Sequence, residues 1–114
     1  MSAPLTPEKL YQTLKKLQEP KGCFFNPDME MTMPLLESLI TNKERYGYMA
    51  CPCRLGSGDY EADKDIICPC VYREPDMAEY GACYCGLYVT QAWIKGEVER
   101  KIVPERRPPE KIVL

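Results

Sequence analysis

The chain has 114 residues and a net charge of −2 at pH 7, from 15 Lys and Arg against 17 Asp and Glu. That length holds one domain (1–114) and no second core. The acidic balance argues against nucleic acid as a partner, and no apolar run approaches the roughly 20 residues of a membrane span. Hydrophobic residues make up 45%, so the 11 prolines and 7 glycines point to loops in a folded chain rather than to disorder.

The opening Met1-Ser2-Ala3-Pro4-Leu5 lacks the basic and apolar regions of a secretory signal, which predicts a cytoplasmic protein. Thr6-Pro7-Glu8 marks a helix start with proline at the first helical position. Leu10, Leu14 and Leu17 follow at helical spacing, and Pro20-Lys21-Gly22 closes an N-terminal helical segment within 1–22. Cys23 reads as a packed thiol. A second helix is predicted from Thr32-Met33-Pro34. Leu35, Leu36, Leu39 and Ile40 form its apolar face, and Tyr46-Gly47 is its stop. From Cys51 to Cys85 the periodicity fails. Only short helical pieces fit there, one near Tyr60–Ile66 and one at Pro75–Tyr80. Leu87-Tyr88-Val89 and Ala92-Trp93-Ile94 fit a short helix or a strand, with Trp93 placed in the core. The tail 96–114, with Pro104, Pro108 and Pro109, is predicted to be extended and peripheral. The fold class that follows is mainly α, a small domain of short helices and loops.

Charge is unevenly spread. Asp59 to Glu79 carries seven acidic residues against Lys64 and Arg73, whereas Lys95 to Leu114 carries six basic against four acidic. A basic tail meets an acidic partner or is simply solvated. Asp59, Glu61, Asp63 and Asp65 alternate, but a calcium loop would need glycine at the sixth position and glutamate at the twelfth. Lys64 and Cys70 stand there instead, so a solvated acidic loop is predicted.

The chemistry is concentrated in six cysteines arranged as Cys51-Pro52-Cys53, Cys68-Pro69-Cys70 and Cys83-Tyr84-Cys85. Their flanks and intervals differ, so they are not a repeat. A Cys-x-Cys step in extended chain places two sulfurs on one side, with α-carbons roughly 6–7 Å apart. Proline between them fixes its own φ and holds the preceding cysteine extended, so the thiols are preorganised. Four thiolates hold one iron–sulfur cluster, which leaves two for one disulfide. Structural zinc favours Cys-x(2–4)-Cys pairs and would leave two thiols over. A full disulfide framework would strand one of the 7 cysteines. On the thiol pattern alone all three remain open.

Asn42-Lys43-Glu44-Arg45-Tyr46-Gly47, followed by Cys51-Pro52-Cys53-Arg54, Cys68-Pro69-Cys70 and Cys83-Tyr84-Cys85, resembles the catalytic (β) subunit of ferredoxin:thioredoxin reductase. The likeness runs from about Met33 to Trp93. It implies a mainly helical fold wrapped around one 4Fe–4S cluster beside a redox-active disulfide. It further implies Cys51, Cys68, Cys70 and Cys83 as cluster ligands. Cys53 and Cys85 become the active pair, Cys53 exposed and attacking the target, Cys85 lying against the cluster. Chloroplast-type members carry histidine where this chain has Tyr84, and the intervals between pairs differ from theirs. In both respects the chain is similar to the archaeal and bacterial branch, the ferredoxin:disulfide reductases.

The implied activity is ferredoxin-dependent reduction of a protein disulfide, in thioredoxin or a thioredoxin-like protein, with an accessory subunit or self-association as further possibilities. Arg54 and Tyr84 are the residues expected to flank the site, Arg54 as a cation beside Cys53 or as a surface arginine, Tyr84 as a packed lid. A simple 4Fe–4S electron carrier and a zinc-binding interaction module are the alternatives.

Overall fold

Thr6 opens the first helix as its position predicts. In the computed structural model, which describes residues 5–54 and 56–111, the Thr6 hydroxyl accepts the Lys9 amide at 3.2 Å and Pro7 is the first helical residue. Helix α1 (Pro7–Gln18) ends in a 3-10 turn, Glu19–Lys21, closed by Gly22. Its inward stripe runs through Leu10, Tyr11, Leu14 and Gln18. Leu17, expected on that stripe, is 57% exposed. Gln18 is buried instead because its amide oxygen accepts the Arg73 guanidinium at 2.7 Å.

Strand β1 (Phe24–Phe25) leads into helix α2 (Met29–Tyr46), which begins one turn before the predicted Thr32. Asp28 is the cap, accepting from the Glu30 amide at 3.1 Å, so Pro34 lies inside the helix. Thr32 looked like a cap because of its hydroxyl, which is fully buried and donates to the Asn26 carbonyl at 2.7 Å. The predicted stop holds. Gly47 adopts φ 88° and returns its N–H to the Lys43 carbonyl, a conformation that favours glycine.

Helix α3 (Tyr60–Asp63) continues as a 3-10 turn, Lys64–Ile66, and α4 (Arg73–Tyr80) starts two residues before the expected Pro75. Of the two undecided segments, Tyr88–Val89 is strand β2, paired antiparallel with β1 through Phe24–Val89 and Phe25–Tyr88. The other is helix α5 (Gln91–Ile94), capped by Thr90. Tyr11, Phe25 and Tyr88 stack as a column with centroid spacings of 4.8 and 5.3 Å, tying α1 to the short sheet. Leu36, Leu39, Ala50, Ile66 and Leu87 are fully buried around it. Trp93 is partly buried against a smaller cluster of Ala82, Val89 and Val103. The domain is mainly α, as predicted. No helix among the described residues is long and apolar enough to cross a membrane.

The acidic segment is not a solvated loop. Asp63 is fully buried and accepts from the Tyr48 hydroxyl, the Ser57 amide and hydroxyl, and the Gly58 amide. Asp59 caps α3, and Asp65 accepts from the Tyr72 hydroxyl and from Arg107. The tail folds back onto this segment. Arg106 pairs with Asp76 and Glu79, and Arg107, with a side chain only 2% exposed, pairs with Asp65 and also donates to the Ala62 carbonyl. The acidic stretch and the basic tail are each other's partners.

Burial raises the Asp63 carboxyl, but its hydrogen bonds from Tyr48, Ser57 and Gly58 outweigh that and hold it below the usual range. Asp65 is likewise held low, against burial, by Arg107 and Tyr72. A carboxyl lowered on folding contributes stability above its unfolded value, about 3.9, and loses it as pH falls through the folded value. Asp63→Asn should therefore cost about 3 kcal/mol in urea unfolding at pH 7, where it opposes amide donors with an NH2 group. The same variant should lose less stability than the parent between pH 5 and pH 2. An equal acid loss in both would show that Asp63 does not contribute to the acid transition.

Candidate redox site

Two backbone bonds place the first two cysteine pairs side by side. The Cys51 amide donates to the Ile66 carbonyl and the Cys68 amide to the Met49 carbonyl, both at 2.7 Å, on either side of an antiparallel bridge between Ala50 and Ile67. Asn42, from α2, holds the approach by donating to the Ala50 carbonyl at 2.8 Å. Each pair then turns back on itself. Arg54 bonds to the Cys51 carbonyl, Arg73 to that of Cys70 and Gly86 to that of Cys83. The third pair enters from β2, since the Cys83 amide donates to the Tyr88 carbonyl at 2.9 Å. Gly86 sits at φ 77°, a left-handed conformation that favours glycine in the turn after Cys85.

Cys51, Cys68, Cys70, Cys83 and Cys85 line one small pocket, with Arg54, Arg73, Tyr84 and Tyr88. Cys53 is not part of the lining; it is exposed, whereas Cys51, Cys83 and Cys85 are buried. Cys23 is buried in the core away from this pocket. All seven cysteines are unbridged. The Cys85 sulfur lies 3.8 Å from that of Cys83.

The thiols are electrostatically sorted. Cys85 is pushed well above the ordinary thiol range by the neighbouring Cys51, Cys53 and Cys83 sulfurs and by burial. Those three are lowered, in each case first by the neighbouring Cys85 thiol, Cys51 to about 7 and Cys83 to about 6. The Tyr88 amide, 3.3 Å from the Cys83 sulfur, adds to the effect there. Burial raises Cys68 and Cys70, with Arg54 opposing it at Cys70.

Arg54 is buried rather than a surface residue, and its charge is among the influences that lower Cys53. Its Nη1 points at the Cys70 sulfur (3.4 Å) and the Cys51 sulfur (3.7 Å). Tyr84, as a lid should, covers its guanidinium, with the ring 4.5 Å away. Four residues that the cysteine pattern did not single out complete the surroundings: Tyr72, Arg73, Tyr88 and Glu105. Tyr88 stands five residues after Cys83, but nothing local distinguishes it, and Glu105 is 51 residues from its partner Arg54.

Residues 5–107 match the family described as ferredoxin thioredoxin reductase catalytic beta chain. The chain belongs to that family. It is 37% identical over 75 residues to the ferredoxin-thioredoxin reductase catalytic chain of Porphyra purpurea, covering 60% of this chain and 57% of the relative. To that of Pyropia yezoensis it is 35% identical over 94 residues, covering 74% and 73%. The chloroplastic catalytic chain of Arabidopsis thaliana is 30% identical over 95 residues, covering 73% and 58%. The matched part of this family member thus spans between just over half and about three quarters of these relatives' lengths.

Membership implies an iron–sulfur group, and the pocket's chemistry fits one. Among the described residues no three Cys, Asp or Glu side chains converge to hold a single ion. Among the described residues, two of the three buried side-chain polar atoms without a hydrogen-bond partner, the Tyr88 hydroxyl and Arg73 Nε, belong to residues lining that pocket. Both are donors that lack an acceptor, and an anionic group bearing sulfide would supply one.

Proposed function

We propose that this chain reduces a disulfide of a thioredoxin-like protein with electrons from a ferredoxin, and that a non-catalytic chain serves as its accessory subunit. Cys51, Cys68, Cys70 and Cys83 would hold one 4Fe–4S cluster, with Cys53 and Cys85 as the exchanging pair. When bound, the cluster supplies one-electron chemistry next to a bond that needs two electrons. The observation that carries the reading is the asymmetry at the pocket's edge, an exposed Cys53 outside the lining and a buried Cys85 within it. The matched relatives, named as catalytic chains of ferredoxin-thioredoxin reductase, support the same direction.

In the exchange, the Cys53 thiolate attacks one sulfur of the target disulfide, and the other target sulfur leaves as a thiolate. A mixed disulfide between Cys53 and the target results. Cys85 then gives up its proton as its sulfur attacks the Cys53 sulfur, the second target sulfur leaves and takes up a proton, and a Cys53–Cys85 disulfide remains. Two single electrons from ferredoxin and two protons return that pair to thiols. Plant-type ferredoxins lie near −400 mV and thioredoxin near −270 mV, so two electrons over roughly 130 mV favour reduction by about 6 kcal/mol. Tyr84 and Arg54 shield the pocket while Cys53 stays open to a protein-sized partner.

The test is on anaerobically purified protein: iron, sulfide and zinc per chain, then alkylation with N-ethylmaleimide after mild reduction. The expected result is about four irons and four sulfides with a single adduct at Cys53 that alters the visible spectrum. Zinc without sulfide would overturn the reading. Iron and sulfide without a reduction-dependent adduct would leave an electron carrier.

A further inference from the structure

Arg54 carries more of the site's design than a packed cation needs. Its side chain is 2% exposed. Nε and Nη2 form a two-pronged contact with the Glu105 carboxylate at 2.6–3.0 Å. The guanidinium also lies over the rings of Tyr72 and Tyr84, at 5.1 and 4.5 Å. This leaves Nη1, and it is directed at Cys51 and Cys70, two of the four pocket thiols assigned as ligands. A guanidinium with both edges and both faces occupied has no freedom to swing away.

Glu105 is itself fixed. It accepts the Arg107 amide at 2.9 Å, and the next two residues are anchored by the Arg106–Asp76 and Arg107–Asp65 pairs. The tail therefore works as a strap that sets one carboxylate behind Arg54. Burying a lone guanidinium would be costly, and the carboxylate offsets that cost while weakening the positive charge felt at the sulfurs. Hydrogen bonds to ligand sulfurs and net charge nearby are two of the quantities that set an iron–sulfur potential.

We propose that Arg54, oriented by Glu105, is a positioning residue that raises the reduction potential of the group held through Cys51 and Cys70, and that Glu105 limits this rise. The inference rests on the proposed function. A fixed positive charge beside the thiolates favours the more reduced, more negative state, so its removal lowers the potential. Glu105→Gln keeps a carbonyl acceptor for Arg54 but removes the opposing charge, so it raises the potential.

The experiment is an anaerobic redox titration followed by electron paramagnetic resonance, on the unaltered chain and on Arg54→Gln, Arg54→Lys and Glu105→Gln. Iron and sulfide are counted on the same samples. Arg54→Gln should lower the ratio of reduced to oxidised group about tenfold at fixed potential, about 59 mV for one electron. Arg54→Lys should recover part of that shift, and Glu105→Gln should move the other way. An unmoved potential in Arg54→Gln that still holds iron, or shifts of one sign in Arg54→Gln and Glu105→Gln, would overturn the proposal. Should Arg54→Gln lose its iron, Glu105→Gln decides alone, since Glu105 does not line the pocket; a fall or no change refutes. An unaltered chain lacking sulfide would refute the reading of the pocket itself, and that outcome is separate from any effect of Arg54.

Discussion

Cys53→Ser should abolish turnover of the target disulfide, by about a thousandfold or more, while iron and sulfide per chain stay at the level of the unaltered protein. Serine is too weak an acid to give the attacking anion at neutral pH, and Cys53 is outside the pocket lining, so nothing that holds the cluster is removed. Cys85→Ser should be equally inactive in turnover but for the opposite reason. The first attack still occurs, and the mixed disulfide between Cys53 and the target then has no resolving thiol. One covalent adduct per chain should accumulate, visible on a non-reducing gel and released by dithiothreitol. The two variants are thus alike in rate and opposite in what they trap. An adduct from Cys53→Ser, or none from Cys85→Ser, would reverse or remove the assigned roles. The exposed Cys53 and buried Cys85 are what make the order of attack specific.

The parts of this molecule that were legible in the sequence are those with local causes. Thr6 and Pro7 start α1 because a hydroxyl and a preset φ act within one turn, and Gly47 ends α2 by a left-handed conformation of its own. The three Cys-x-Cys pairs marked the pocket because thiols at that density have few other uses, and five of the six line it. Asp28 was passed over as the cap of α2 because Thr32-Met33-Pro34 carries the same local signature. Only the buried bond from Thr32 to Asn26 shows what that hydroxyl does. Asp63 could not be told from its exposed neighbours, because its acceptors are satisfied by a loop, Ser57–Gly58, and by Tyr48. The charge asymmetry was legible as two patches but not as one interaction. Arg106 meets Asp76 across 30 residues, and Arg107 meets Asp65 across 42. Pairings of that length have no periodicity to reveal them. Glu105, which orients the one arginine aimed at the sulfurs, belongs to the same class.

Cys68→Ser should behave in the opposite way to Cys53→Ser, and this contrast tests how the six thiols are divided. Cys68 lines the pocket and packs against the main core, so loss of its sulfur would remove a proposed ligand from beside that core. Iron per chain should fall toward zero. Stability should fall as well, because the three cysteine segments are joined by few elements of their own. One isolated bridge, Ala50–Ile67, joins the first to the second, and the third is tied to β2 through the Tyr88 backbone. A bound group contributes its binding free energy to folding, so its loss leaves the pocket's unpartnered donors, the Tyr88 hydroxyl and Arg73 Nε, without an acceptor. A cost of about 3 kcal/mol would lower the thermal midpoint by roughly 10–20 °C in a domain of this size. Cys23→Ser is the control, since that thiol is buried in the same core but does not line the pocket; it should lower stability modestly and leave iron unchanged. Retention of iron and sulfide by Cys68→Ser would move the ligand set onto another four of the six cysteines. The exchange roles of Cys53 and Cys85 would then have to be reassigned with it.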